Sequence, residues 1–259
     1  MFRIAAFSTS ALALSISAAA AATGVGLTDD RTLVMFDTET LEVTGTMDVE
    51  GVDRLLGIDL RPSNNTLVGV TDDMRIVTID TATGAATDLS TMDTPLEVID
   101  MPVIVDFNPM ADRLRFMTGT TNHRVNVDTG EVTVDGSLNW VAEDENAEAS
   151  PTVAAAAYIN SYGTPEATAM YNIDAGLGAL LQQTAPNDGT LATIGMLNVE
   201  NPGDMMAFDV QTDAEGANMA WLVTNNTIHS VDLETGAATA AGEIAAEGQI
   251  RDLTVLPAM

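Results

Sequence analysis

Four aspartates occupy one position of a recurring strand: Asp59 in Gly57-Ile58-Asp59-Leu60-Arg61-Pro62, Asp106 in Ile104-Val105-Asp106-Phe107-Asn108-Pro109, Asp209 in Phe208-Asp209-Val210-Gln211, and Asp252 in Ile250-Arg251-Asp252-Leu253. In the fourth copy, Ala157-Tyr158-Ile159-Asn160, the column reads Tyr158. Carboxylates gathered round one axis are hard oxygen ligands, and a cation such as Ca²⁺ takes about six to eight of them. Asn108 and Asn160, two positions later, add amide oxygens. The competing use is structural: each Asp accepts backbone N–H groups of the next strand.

The third copy is chemically the richest. It reads Asp106-Phe107-Asn108-Pro109, Asp112-Arg113-Leu114-Arg115, then Asn122-His123-Arg124-Val125-Asn126-Val127-Asp128, and holds three of the nine arginines. Counted back four residues from Asp128, Arg124 aligns with Leu33, Ile76, Met170 and Ile228, and so breaks an apolar column. An arginine there needs a carboxylate or a ligand anion. Asp106, Asp112 and Asp128 are the expected internal partners. The functional alternative is a pocket between this unit and its neighbours, formed by Asp106, Asn108, Arg113, Arg115, Asn122, Arg124, Asn139, Tyr158 and Asn160. His229 shares a column with Val34 and Val77 and is expected to pack. His123 lies in an expected polar turn and is the candidate base. The chain carries no G-x-S-x-G, H-E-x-x-H, P-loop, dinucleotide or EF-hand signature.

These residues sit on a repeat: a short β-rich run ends in Asp, a turn with Thr-Gly follows, then another strand. The turn positions are Asp37, Asp80, Asp128, Asp174 and Asp232, spaced 43, 48, 46 and 58, each after an apolar residue. Asp bonding its own backbone and Gly at positive φ are hairpin chemistry. With the inner strand and a middle strand such as Thr66-Leu67-Val68-Gly69-Val70, each unit has four strands. Such units of roughly 40–50 residues are propeller blades. The chain after residue 22 lacks a first inner strand, and Ile250–Leu256 supplies one, so both termini are expected to share a blade. The expected fold is all-β, a single five-bladed β-propeller over residues 23–259. The stretch Pro186–Pro202 leaves room for a hairpin and a sixth blade.

Residues 1–22 read as an export signal: Arg3, an apolar run Ile4–Ile16, and small residues Ala18–Ala22. No later segment is apolar enough to span a membrane. With 38 acidic and 9 basic residues the formal charge is −29, which excludes binding to nucleic acid or anionic membranes through a basic face. No cysteine means no disulfide, thiolate or iron–sulfur site. The basic residues are all arginine, and this acidity fits a halotolerant, exported, soluble chain.

Several motifs resemble a bacterial secreted family catalogued as domain of unknown function 4394. They are Gly-Leu-Thr-x-Asp at Gly26–Asp30, Asp-Phe-Asn-Pro-x-x-Asp-Arg-Leu-Arg at Asp106–Arg115, and Asn122-x-Arg124-x-Asn126. Asp135-Gly136-x-Leu138-Asn139, Ala155-Ala156-Ala157-Tyr158 and Pro186-Asn187-Asp188-Gly189-Thr190-Leu191 complete the set. The resemblance implies a propeller-like repeat and export, and brings no activity. Thr40 stands where the first turn's glycine is expected.

The reading is a secreted or periplasmic binding or interaction module, monomeric, for an extracellular or periplasmic ligand or protein, with no required cofactor. The alternatives are a metal-assisted hydrolase or lactonase-like enzyme holding Ca²⁺ on Asp59, Asp106, Asp209 and Asp252, and a structural envelope protein.

Overall fold

A computed structural model describes residues 22–97, 102–203 and 205–257. The export signal expected over residues 1–22 lies outside them, apart from Ala22. Among the described residues every regular element is a strand, and the strands form five small sheets in a ring, antiparallel but for one short outer pair.

Blade 1 contains β1 (Thr23–Thr28), β2 (Thr32–Asp37) and β3 (Val43–Asp48). Blade 2 is β4 (Leu55–Arg61), β5 (Thr66–Thr71), β6 (Arg75–Ile79) and β7 (Ala86–Thr91). Blade 3 is β8 (Val103–Asn108), β9 (Arg113–Thr118), β10 (Thr121–Val125) and β11 (Val132–Val134). β12 (Asn139–Trp140) precedes the blade 4 strands β13 (Val153–Tyr158), β14 (Met170–Asp174), β15 (Ala179–Ala185) and β16 (Thr190–Met196). Blade 5 is β17 (Met206–Thr212), β18 (Asn218–Thr224), β19 (Thr227–Val231) and β20 (Ala238–Glu243). Finally β21 (Asp252–Leu256) returns to blade 1 as its inner strand, pairing Thr254 with Val25 and Asp252 with Leu27. The expected closure by both termini is present, and it leaves the ring without an open seam.

The inner strands β21, β4, β8, β13 and β17 pack against one another around the axis. β4 and β13 are buried at every residue, whereas β3 alternates half-buried with exposed. The core is divided into five apolar clusters, one at each junction between blades. Between blades 2 and 3, for example, Val68, Val70 and Ile76 meet Phe107, Leu114 and Phe116.

The blade turns follow one rule with one substitution. Asp37, Asp80 and Asp232 each accept two backbone N–H groups of the turn through Oδ1. In blade 3 that place belongs to Asn126, not Asp128: Asn126 Oδ1 accepts the Asp128 N–H, and the Gly130 N–H bonds the Asn126 carbonyl. The equivalent carbonyl in blade 4 is that of Ala185, which accepts from Gly189. Met170–Asp174 is therefore the second strand of its blade rather than the third. The true turn positions 37, 80, 126, 185 and 232 are spaced 43, 46, 59 and 47. In blade 1 the left-handed turn position falls to Leu41 (φ 60), not Thr40.

Blade 4 also departs from four strands. The chain leaving β11 lays β12 parallel against β16, so a segment from blade 3 straps the outer edge of blade 4. The stretch Pro186–Pro202 contributes β16 to this blade and builds no sixth one.

Candidate functional site

Two polar constellations stand out: one on the axis, one between blades 3 and 4. On the axis, residues paired three places before the end of each second strand mark equivalent positions. They are Asp59 opposite Val68, Asp106 opposite Arg115, Ala157 opposite Tyr171, Asp209 opposite Trp221, and Thr254 opposite Val25. The sequence column thus shifts at two blades. Ala157 replaces Tyr158, and Thr254 replaces Asp252, which lies two residues earlier on β21. Tyr158 looked like the natural member because no proline follows β13 to fix the register; on β21 Pro257 stands three residues after Thr254, as Pro62 does after Asp59 and Pro109 after Asp106, but the aspartate at 252 drew the alignment away from it.

Carboxylate oxygens of Asp59, Asp106 and Asp209 lie within 4.8 Å of one another and all three residues are buried. Each also bridges to the next blade. Asp59 Oδ2 accepts the Phe107 N–H at 2.6 Å, and Asp106 Oδ1 accepts from Tyr158 at 2.9 Å. Asp209 Oδ2 accepts from Val255 and Asp252 Oδ2 from Ile58, both at 2.7 Å. Four of the five junctions are closed this way, and the junction after blade 4 has Ala157 instead. Thr254 Oγ1 donates to Asp59 Oδ1 at 2.8 Å.

Burial pushes the Asp59 and Asp106 carboxyls well up, and neighbouring carboxylates add to it. Burial raises Asp209 to about 6 and Asp252 to about 7, against the backbone N–H bonds that favour their ionised forms. Like charges this close do not all ionise in a dry site without a proton or a cation between them. The channel itself is tight: the cavity beside Asp59, Asp209 and Thr254 has about 20 Å³, room for a water-sized species. At the other end Arg251 donates to the carbonyls of Asp29, Leu55, Leu56 and Asp30, tying blade 1 to blade 2.

Between blades 3 and 4, Arg115 is 2% exposed and both terminal nitrogens of its guanidinium are engaged. Nη1 donates to Asn122 Oδ1 at 2.9 Å and Asp135 Oδ2 at 2.7 Å; Nη2 reaches Tyr158 Oη and Asn187 Oδ1, each at 3.2 Å. Arg124 grips the same Asp135 with two bonds of 3.0 Å. Burial works to raise Asp135, but the bonds from Arg124 and Arg115 hold it below the usual carboxylate range. Asn122 donates to the carbonyls of Gly136 and Pro186. The expected partners Asp106, Asp112 and Asp128 are not those of Arg124. Asp112 and Asp128 instead clasp Arg61 of blade 2, which holds both carboxyls low. Arg61 carried no sequence signal because its column reads as inner-strand edge.

With Asn126 as the turn residue, Arg124 aligns with Met35, Thr78 and Ser230, all half-buried, and the odd residue among Leu33, Ile76 and Ile228 is Asn122. Of the remaining candidates, Asn108 Oδ1 caps its own turn and Arg113 donates to the Ala111 and Asp112 carbonyls. Asn139 bonds Ser137 and Asp188 carbonyls, and Asn160 pairs with Asn218. Asn108 and Tyr158 line a shallow surface groove with Asn187 and Asp188. His123 is not in a turn: it is buried on β10 opposite Phe116, and burial lowers its pKa.

The family model described as a domain of unknown function, 4394, matches residues 32–254. No protein among the curated ones matches. A protein of unknown function from Bacteroides thetaiotaomicron is similar in structure at 14% identity, with 95% of this chain and 68% of that one covered and a TM-score of 0.54. An auxiliary nutrient binding protein from the same species is similar at 11% identity over 88% of this chain and 58% of that one, TM-score 0.49. A protein of unknown function from Bacteroides caccae gives 9%, 91%, 99% and 0.46 respectively. At 14% identity the likeness to the first of these is one of fold.

Proposed function

The chain belongs to the family of unknown function 4394, and we propose that it is an exported, monomeric binding module built on a five-bladed scaffold. One observation carries this reading. The polar residues that set blades 3 and 4 apart are spent on joining them, with Arg115 buried and bonded to four side chains. The inner-strand aspartates likewise close blade junctions. What this scaffold offers a partner is its surface and the grooves between blades. Export rests on Arg3, the apolar run Ile4–Ile16 and the small residues Ala18–Ala22; the excess of carboxylates suits a saline exterior.

The reading as a metal-assisted hydrolase has one observation in its favour, the three convergent carboxylates on the axis. Elemental analysis of the purified protein, with melting in Ca²⁺ and in chelator, separates the two. The binding module keeps no stoichiometric metal and melts alike in both. A retained metal, with melting raised by Ca²⁺ and lowered by chelator, overturns it.

A further inference from the structure

A groove runs along blade 5, with Asn198, Glu200, Asn201, Thr224, Asn225 and His229 among its lining residues. Two of these are buried with unmet hydrogen-bonding capacity among the described residues: His229 Nδ1 and Thr224 Oγ1. Their side chains belong to residues only 6% and 2% exposed.

The repeat shows what is particular to blade 5. Thr224 ends β18 as Thr28, Thr71 and Thr118 end their second strands. Those three donate to Thr32 O, Asp73 Oδ1 and Pro102 O. In blade 3, then, the segment entering the inner strand closes over the threonine. In blade 5 the corresponding bond is absent among the described residues, and the groove opens there. His229 stands where blades 1 and 2 have Val34 and Val77 and blade 3 has His123, whose Nδ1 is likewise buried and unpartnered but which faces the larger Val134. Opposite His229 is Ala240, where Val34 faces Thr46 and Val77 faces Asp88, so the wall beside the His229 imidazole is cut back.

A buried polar group without a partner costs about 1–3 kcal/mol, and such groups in a groove are where a ligand is expected to supply the partner. No arginine lines the groove, so an anion has no counter-charge. Beside the exposed carboxylate of Glu200, its polar groups are uncharged amides, hydroxyls and an imidazole, each able to pair with a hydroxyl as donor or acceptor. Val199, Ala238 and Ala240 give a small apolar wall. We propose that this blade 5 groove is a binding site for an uncharged, polyhydroxylated small molecule of the sugar or polyol class, held by His229 and Thr224. The proposal rests on the binding-module reading and gives it a site and a ligand class.

The chain has only two histidines, so imidazole ¹H–¹⁵N spectra report on the groove directly, and His123→Val assigns the pair. The probes are D-glucose, D-galactose and myo-inositol, with Zn²⁺ and tetramethylammonium as cation arms. The expected result is a saturable shift of the His229 signals by at least one polyol, with His123 unmoved. Ala240→Trp, which fills the groove, abolishes it. Thr224→Val removes an unpaired hydroxyl, so melting stays or rises while polyol affinity falls about tenfold, the equivalent of one neutral hydrogen bond. No saturable shift from any polyol, a response to a cation alone, or a shift that survives Ala240→Trp overturns the site. If the polyols fail while native mass spectrometry still finds another bound partner, this site falls and the binding-module reading stands.

Discussion

Raising the pH from about 4 to about 8 should destabilise this protein, the reverse of what surface ion pairs do. Asp209, buried on the axis, and Asp252, two residues before the axial position on β21, have carboxyls raised by desolvation from 3.8 to about 6 and about 7. A raised carboxyl binds its proton more tightly folded than unfolded. Between the unfolded and folded values the native state therefore carries more protons, and stability falls as pH rises. Each pH unit of difference corresponds to roughly 1.4 kcal/mol, so Asp252 alone accounts for on the order of 4 kcal/mol and Asp209 for on the order of 3. Asp59 and Asp106 shift in the same direction. Asp112, Asp128 and Asp135 act oppositely, because their lowered values stabilise above the unfolded value and that stability is lost only as pH drops below about 4. The optimum then falls near pH 4–5. The assay is guanidinium chloride denaturation across pH; molar salt screens repulsion among the surface carboxylates, leaving the buried groups to dominate the slope. A midpoint that is flat or rises between about pH 5 and pH 8 would refute the reasoning. Asp252→Asn should flatten the upper part of the slope.

Arg115→Met leaves Asp135, Asn122 and Asn187 without their shared donor and should cost about 3–5 kcal/mol in chemical denaturation. Arg124→Leu should cost only about 1–2 kcal/mol, since Arg124 is 32% exposed and Arg115 still holds Asp135. Gly130 has φ 76, and a Cβ there would stand 1.9 Å from the Thr91 carbonyl oxygen, so Gly130→Ala should lower stability by more than about 2 kcal/mol. Deleting residues 250–259 removes β21 and opens blade 1; hydrogen exchange should show protection lost first in β1, which pairs with it.

The architecture was legible because period-2 strands and Asp-bearing turns recur at a blade-sized spacing, and because the two ends are complementary. Register was less so. Asn126 does the work of an aspartate, and reading Asp128 in its place moved the whole third strand by two residues, making Arg124 look anomalous and hiding Asn122. A separate shift on two inner strands made Tyr158 and Asp252 look axial, where pairing across β13–β14 and β1–β21 puts Ala157 and Thr254. Sequence pattern gave the right blades for the polar cluster but not its partners, since Asp135 and Asn187 come from segments outside the strands of the repeat. The strap β12 was invisible because two residues carry no period.

Native mass spectrometry of the protein released by its own host tests the central claim most directly. A binding module is expected to appear as one chain carrying a non-covalent ligand or protein partner that gentle activation removes and re-addition restores, with no metal at stoichiometry. A bare chain that keeps a metal and turns over an ester or lactone would contradict it.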